Sequence, residues 1–311
     1  MTLQNLLVPT DFSAHADAAL DHAVSLADRF NATLHLLHVV NDPRTGWYDL
    51  GDAEVQIDRL KERAESEARD RLEGIVQDSA VVEVQTAVAQ RLNLDVAEAI
   101  REYVTGHTID LVVMGTHGRR GLERLVLGSV ANRLIHRSAC PVMTVRSRDE
   151  EESTPPTVDY ETVLAPIDFS DHSRTALHFA KQIAHRYGAT QHLMFVAEKR
   201  VLPTFSDTGI PGVGVVEMDP DIVSNAESAL EEFNEQVEGP AVASAYHVVK
   251  GDVAQEIINF AETNGADVIV MATRGLTGID RFVLGSNTVR VIREAPCPVL
   301  TLPALPDEDK E

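Results

Sequence analysis

The chain repeats itself. At an offset of 157 positions, counted from Leu6 to Val163, LLVPTDFSAHADAAL faces VLAPIDFSDHSRTAL without a gap. DLVVMGTHGRRGLERLVLGS, from Asp110, faces DVIVMATRGLTGIDRFVLGS, from Asp267, and Cys140-Pro141-Val142 faces Cys297-Pro298-Val299 at the same offset. Solenoid periods are far shorter than this, so two copies at so long a period mean two tandem domains. The chain of 311 residues has room for both. The expected division is a first domain over 1–146, a linker over 147–160, a second domain over 161–303 and a frayed tail over 304–311. The linker, SRDEEESTPPTVDY, is acidic and Pro-rich, as extended connectors are.

Within each copy, strand and helix patterns alternate. In the first, the run from Leu3 to Val8 is a buried-strand pattern. Ser13 is placed to cap the helix that follows, whose apolar face is Ala16, Ala19, Leu20, Ala23, Leu26, Ala27 and Phe30. Strands are expected over 33–40, 82–86, 109–114 and 142–145, and helices over 54–77, 96–104 and 129–136. Asp110 alone interrupts the fourth strand pattern. Strict alternation predicts an α/β fold, two doubly wound domains, each a parallel sheet with helices on both faces. Such sheets bind ligands beyond the strand C-termini, where strand order reverses.

Composition narrows the partners. There are 49 acidic against 27 basic residues, a net charge of −22, and only five lysines. Such a surface repels nucleic acid and anionic membrane. No apolar run reaches the ~20 residues that cross a bilayer. The N-terminal MTLQNLLVPTDFS lacks a signal-peptide pattern, so a soluble, cytoplasmic protein is expected. Cys140 and Cys297, the two cysteines, are expected as buried unpaired thiols, and no metal site is expected.

The chemistry-bearing residues follow the first and fourth strands. Gly115-Thr116-His117-Gly118 is followed by nine residues and then Gly128-Ser129, at a helix start. Glycines let backbone approach a phosphate, and a helix N-terminus offers free N–H groups and a positive dipole end. Ser129 could cap that helix or donate to a phosphate oxygen. No Lys precedes it, so this is not a P-loop. Together with Pro9-Thr10-Asp11, these residues resemble the universal stress protein family and its Gly-x2-Gly-x9-Gly-Ser/Thr pattern, across nearly the whole chain, twice.

The resemblance implies a five-stranded parallel sheet of order 3-2-1-4-5 and an adenine-nucleotide site. There Asp11 would contact the adenosine, Val39 would line the adenine pocket, and Gly115, Gly118, Gly128 and Ser129 would hold phosphates. Met114, His117 and Val130 complete the implied first site. In the second copy the implied residues are Pro166, Asp168, Val196, Ala272, Gly275, Gly285, Ser286 and Asn287. That copy departs from the pattern, with Ala272 in place of the first glycine and Ile167 in place of Thr10. If position 272 needed φ > 0, alanine would cost on the order of 1 kcal/mol; if not, the change is mild.

Plainer readings stand beside these. Asp11 and Asp168 can be read as caps of the first helices, and Ser129 and Ser286 as N-caps without ligand. His15 and His172 read as surface residues, and Arg119 and Arg120 as solvated loop charges. GIPGVG, from Gly209, reads as a flexible loop within a long segment, 197–220, that could cover a site or meet a partner.

Three functions follow from these features: an ATP-binding stress or regulatory module (ATP, ADP or AMP, with or without Mg²⁺ or Mn²⁺), a slow metal-dependent ATP hydrolase, and a nucleotide-free scaffold. No general base beside a nucleophile is evident, which places the hydrolase second. By resemblance, the last strands of the two copies would pair within one chain as an intramolecular pseudo-dimer, and two chains could form a homodimer.

The excess of acid over Lys points to a halophilic source, where salt screens self-repulsion. The expected outcome is a thermal unfolding midpoint that rises with KCl; a midpoint indifferent to KCl removes this reading.

Overall fold

The computed structural model describes residues 3–42, 52–78, 83–92, 95–116, 127–146, 158–198, 201–205, 211–215, 220–273 and 285–303. The chain forms two compact units, Met1–Asp159 and Tyr160–Glu311. Each is a doubly wound α/β domain.

In the first unit the order is β1 (Asn5–Pro9), α1 (Ala14–Phe30), β2 (Thr33–Asp42), α2 (Asp52–Asp78), β3 (Val84–Leu92), α3 (Val96–Gly106), β4 (Leu111–Gly115), α4 (Ser129–Arg137) and β5 (Val142–Val145). The sheet order is β3-β2-β1-β4-β5, all parallel. β1 is central: Asn5 to Pro9 pair with Thr33 to Leu37 on one side, and Leu6 and Leu7 with Leu111 and Val112 on the other. Being covered on both faces, it is apolar throughout its middle, and Leu6, Leu7 and Val8 are fully buried. Right-handed crossovers put α1 and α2 on one face and α3 and α4 on the other.

Asp110, the interruption in the fourth strand pattern, has a structural use. Its Oδ2 accepts the N–H groups of Gln4 and Asn5 at 2.7 and 2.9 Å, fastening the start of β1 to that of β4. Asp267 does the same for Glu161 and Thr162 at 2.8 and 2.9 Å in the second unit. The feature belongs to the repeated fold.

The second unit runs β6 (Thr162–Pro166), α5 (Asp171–Tyr187), β7 (Thr190–Glu198), β8 (Val201–Phe205), β9 (Pro211–Val215), α6 (Pro220–Gln236), β10 (Ser244–Gly251), α7 (Val253–Asn264), β11 (Val268–Ala272), α8 (Ser286–Glu294) and β12 (Val299–Leu302). Its parallel order, β10-β7-β6-β11-β12, repeats that of the first. The order 3-2-1-4-5 implied by the resemblance is therefore present in both units.

One expectation is corrected. The segment over 197–220 is not a structureless loop: β8 and β9 pair antiparallel, Val201 with Val215 through Phe205 with Pro211, so most of GIPGVG is strand. Valine and phenylalanine favour extended backbone, and both strands are edges, where Pro203 and Pro211 do little harm. At the expected linker, 147–157 lie outside the described residues. Ser25 Oγ donates to the Val158 carbonyl at 2.7 Å, and Arg29 meets Asp159 at 3.1 Å, so this stretch runs along α1. Tyr160 is 1% exposed and packs on Tyr187, ring centroids 4.6 Å apart.

The second unit carries two polar devices of its own. Lys181, buried in α5, donates to the carbonyls of Asn234 and Val237, placing a cation at the C-terminal end of α6. His192 Nδ1 and His247 Nε2, on neighbouring strands, lie 2.9 Å apart with rings 9° from parallel, beneath Phe260 of α7. One proton serves that hydrogen bond; a second would set two N–H groups head to head. Burial, and for His192 also its neighbour, holds both imidazoles below their ordinary pKa, against an opposing pull on His247 from Glu227.

With folded pKa values depressed, the unfolded chain binds more protons below about pH 6.5, and stability present above that pH is lost as pH falls. Urea midpoints should therefore drop from neutral to mildly acid pH, and the drop should shrink in His247→Gln. Equal pH slopes in the two proteins would count against the pair.

Candidate functional site

The turn after β1 is built from its own side chains. Thr10 N–H donates to the Leu37 carbonyl at 2.8 Å, extending the pairing with β2 by one residue. Thr10 Oγ1 accepts the Phe12 N–H at 2.9 Å, and Asp11 Oδ1 accepts the Ser13 N–H at 3.1 Å. Phe12, between them, is held at φ 60°, a left-handed conformation uncommon for a bulky residue. Its ring lies 4.6 Å from that of His38 and 4.0 Å beneath the Arg71 guanidinium. His38 Nδ1 donates to the Thr10 carbonyl at 2.7 Å, which closes the turn.

The second copy keeps the backbone and changes the chemistry. Phe169 has φ 64°, and Asp168 Oδ1 accepts Ser170 N–H at 3.1 Å and Ser170 Oγ–H at 2.6 Å. Ile167 stands where Thr10 does, and Phe195 where His38 does. Phe169 packs on Phe195 and Phe233 at 5.2 and 5.5 Å. A polar anchor of the turn in one copy is thus an aromatic cluster in the other.

In both turns the helix cap is the serine, not the aspartate. Ser13 Oγ accepts from Ala16 N–H and Ser170 Oγ from Ser173 N–H, at 3.4 and 3.1 Å. The reading of Asp11 and Asp168 as caps is corrected: each lies two residues too early and instead holds the N–H of the capping serine. Both aspartates are half-buried at the C-terminal end of the central strand.

Beyond β4, Thr116 N–H donates to the Val145 carbonyl at 2.9 Å, and Gly128 N–H returns to the Thr116 carbonyl at 2.8 Å. Residues 117–126, including His117, Gly118, Arg119 and Arg120, lie outside the described residues, as do Arg274 and Gly275 in the second copy. Gly128 is the N-cap of α4, and among the described residues no side chain caps the first turn. Ser129 is the first helical residue, so its reading as a cap is corrected, and the same holds for Ser286 behind Gly285. A helix beginning on glycine has no N-cap side chain for its first-turn N–H groups, at 129–131 and 286–288. Ser129 and Ser286 are exposed, and Val130 and Asn287 half-buried.

The first glycine of the pattern has a packing role. Neither Gly115 nor Ala272 is among the described residues with positive φ. A Cβ at Gly115 would sit 2.8 Å from the His15 carbonyl oxygen and 2.9 Å from its Cβ. Glycine therefore lets the first turn of α1 press onto β4, on the face opposite α4. His15 and His172 are less exposed than the surface reading expects: both are half-buried, and His172 Nδ1 is buried with no hydrogen-bond partner among the described residues.

The remaining residues gather around these turns. Pro9 and Pro166 end the central strands, half-buried. Met114 and Met271 are buried one residue before the strand ends. Val39, half-buried, pairs with Ala89, and Val196, 8% exposed, pairs with Val249, near the C-terminal ends of β2 and β7.

Sequence reasoning does not single out one further pair. Asp95 caps α3 through the Glu98 N–H and meets Arg133 of α4 at 2.9 Å. Asp252 caps α7 through the Gln255 N–H and meets Arg290 of α8 at 2.7 Å. Each pair ties the N-terminus of one helix to the middle of the next, α3 to α4 and α7 to α8. Both recur at the repeat offset, which is the signal that could have found them.

The close approach at Gly115 gives a direct test. Gly115→Ala should destabilise the first unit by about 1–3 kcal/mol, the usual range for an overpacked site. Ala272→Gly should cost under about 1 kcal/mol, through backbone entropy. Urea denaturation of each variant measures both; a neutral Gly115→Ala would refute the packing role.

The family model described as "Universal stress protein family" matches residues 2–146 and again 159–303. Over 144 residues, 46% of this chain and 82% of the relative, the sequence is 35% identical to the universal stress protein MJ0531 of Methanocaldococcus jannaschii. A universal stress protein of Mycolicibacterium smegmatis is 27% identical over 97% of both chains, so it shares the tandem arrangement. A crystal structure of a universal stress protein from Archaeoglobus fulgidus has the same fold, with a TM-score of 0.69 at 20% identity, over 97% of this chain and 99% of that one. With both copies matched and both sheets in one order, the chain belongs to the universal stress protein family, as a tandem two-domain member.

Proposed function

We propose that the first copy binds an adenine nucleotide, ATP, ADP or AMP, and that the protein acts as a nucleotide-responsive regulatory module. The observation that carries this reading is the start of α4. A helix capped by Gly128, whose first turn receives no side-chain cap from the described residues, offers first-turn N–H groups and a positive dipole end to an anion. Asp11, held by the Ser13 N–H at the end of the adjacent central strand, would meet a ribose hydroxyl. Val39, at the end of β2, would border the base. Gly118 and Gly128 would let backbone reach the phosphates, with His117 beside them.

The second copy is proposed to keep the same use of Asp168, Gly285 and Ser286. The position of Ala272 supports this, because its counterpart Gly115 faces the α1 side of the sheet, away from the helix N-terminus. Mg²⁺ or Mn²⁺ would accompany the phosphates in solution. No described helix is long and apolar enough to cross a membrane, and the acidic charge suits a salt-rich cytoplasm.

Calorimetric titration of ATP tests the proposal. Wild type should bind. Gly118→Val should bind at least about tenfold more weakly, a loss of about 1.4 kcal/mol, because a branched side chain bars close backbone approach. Asp11→Ala should weaken binding by a similar factor, through loss of a charge-assisted hydrogen bond. Equal binding by wild type and Gly118→Val would refute the assigned cradle.

A further inference from the structure

β3 ends the first unit's sheet, with β2 as its only neighbour among the described residues. It is nine residues long, VQTAVAQRL, and none of Val84 to Ala89 is buried. Natural edge strands are usually blunted by an inward charge, a lysine, a proline or a bulge. From Val84 to Gln90 this one has none of the first three, in a chain where 24% of residues are charged, and its register with β2 runs unbroken from 84 to 92. Charge returns only at its two ends, as Glu83 and Arg91.

Those ends are self-complementary. An antiparallel pairing of two such strands about a two-fold axis at Ala87 sets residue 83 of each copy opposite residue 91 of the other. The hydrogen-bond phase agrees. Leu34 N–H donates to the Glu83 carbonyl at 2.8 Å, so odd-numbered residues of β3 spend their backbone groups on β2. Thr86 and Val88, and Val84 and Gln90, turn theirs outward. With the axis at Ala87, Thr86 meets Val88 of the second copy and Val84 meets its Gln90, as exchanged hydrogen-bonded pairs. Positions 83 and 91 then fall in a non-hydrogen-bonded pair, where side chains are closest. Any other register loses one of these matches.

We infer that the outer edge of β3 is a homodimerisation surface, on which a second copy of this chain adds its own β3 antiparallel about Ala87. The interface is isologous, so it closes as a dimer and does not propagate. The uncharged run lets two chains of net charge −22 approach along one line without like charges meeting. β10, the corresponding edge of the second unit, carries Lys250 within the strand and ends on Ser244 and Gly251, so it lacks the matching end charges.

Sedimentation velocity of the full chain tests this, in about 0.3 M KCl, where the Debye length is about 5 Å and general repulsion is screened. Wild type should show a concentration-dependent monomer–dimer equilibrium. Glu83→Arg and Arg91→Glu should each weaken the dimer about tenfold or more, since two attractive cross-strand pairs become repulsive. The double exchange, Glu83→Arg with Arg91→Glu, should restore association to within about threefold of wild type. Thr86→Pro, which removes an outward N–H and leaves the β2 ladder intact, should abolish the dimer. A wild type that stays monomeric overturns the inference. So does a dimer unmoved by the single reversals, or a double exchange no better than either reversal alone.

Discussion

The two-sided pairing of β1 organises each unit. A strand hydrogen-bonded to parallel neighbours on both edges, and covered on both faces, has to be apolar and has to end in a turn that exits the sheet. Because the chain winds outward from β1 in one direction and then in the other, the turns after β1 and β4 open side by side. Asp110 and Asp267 fix the opposite end of the same strands by gathering two backbone N–H groups each. A carboxylate that would be costly inside a strand is stabilising just before its first residue, where donors converge on it.

Constraint at the base contrasts with strain at the mouth. Phe12 and Phe169 occupy left-handed backbone at the same place in both copies. Such conformations cost on the order of 1 kcal/mol or more and persist only where the surroundings over-determine them. Here the over-determination is visible. Thr10 and Asp11 each accept an N–H across the turn in the first copy, and Asp168 accepts two hydrogens from Ser170 in the second. The ring is held by His38 and Arg71 in one copy and by Phe195 and Phe233 in the other. The same backbone is thus supported by different side-chain chemistry, which lets the copies diverge around a common scaffold.

Much of this is legible in the chain itself. The long internal repeat marks two domains, the alternating patterns mark their strands and helices, and Ser13 marks the first helix start. The glycine pattern points to the turn beyond β4 because a missing side chain at that spacing lets backbone come close to a ligand. Individual residues are less legible. Asp11 reads as a cap because the capping hydrogen bond depends on whether the turn takes one residue or three to reach the helix. The β8–β9 hairpin escapes the periodicity because Gly- and Pro-rich runs carry little of it, and only its cross-strand partner makes each segment a strand.

The sequence by itself determined the doubled α/β architecture, the strand–helix order and the candidate loop, because periodicity and repetition are properties of the chain. Only the tertiary structure decided what each small residue is for. Gly115 lets α1 close onto β4, Gly128 starts a helix that no described side chain caps, and Asp95 reaches Arg133 across two helices. These are contacts between segments distant in sequence, and no local pattern encodes the distance between them.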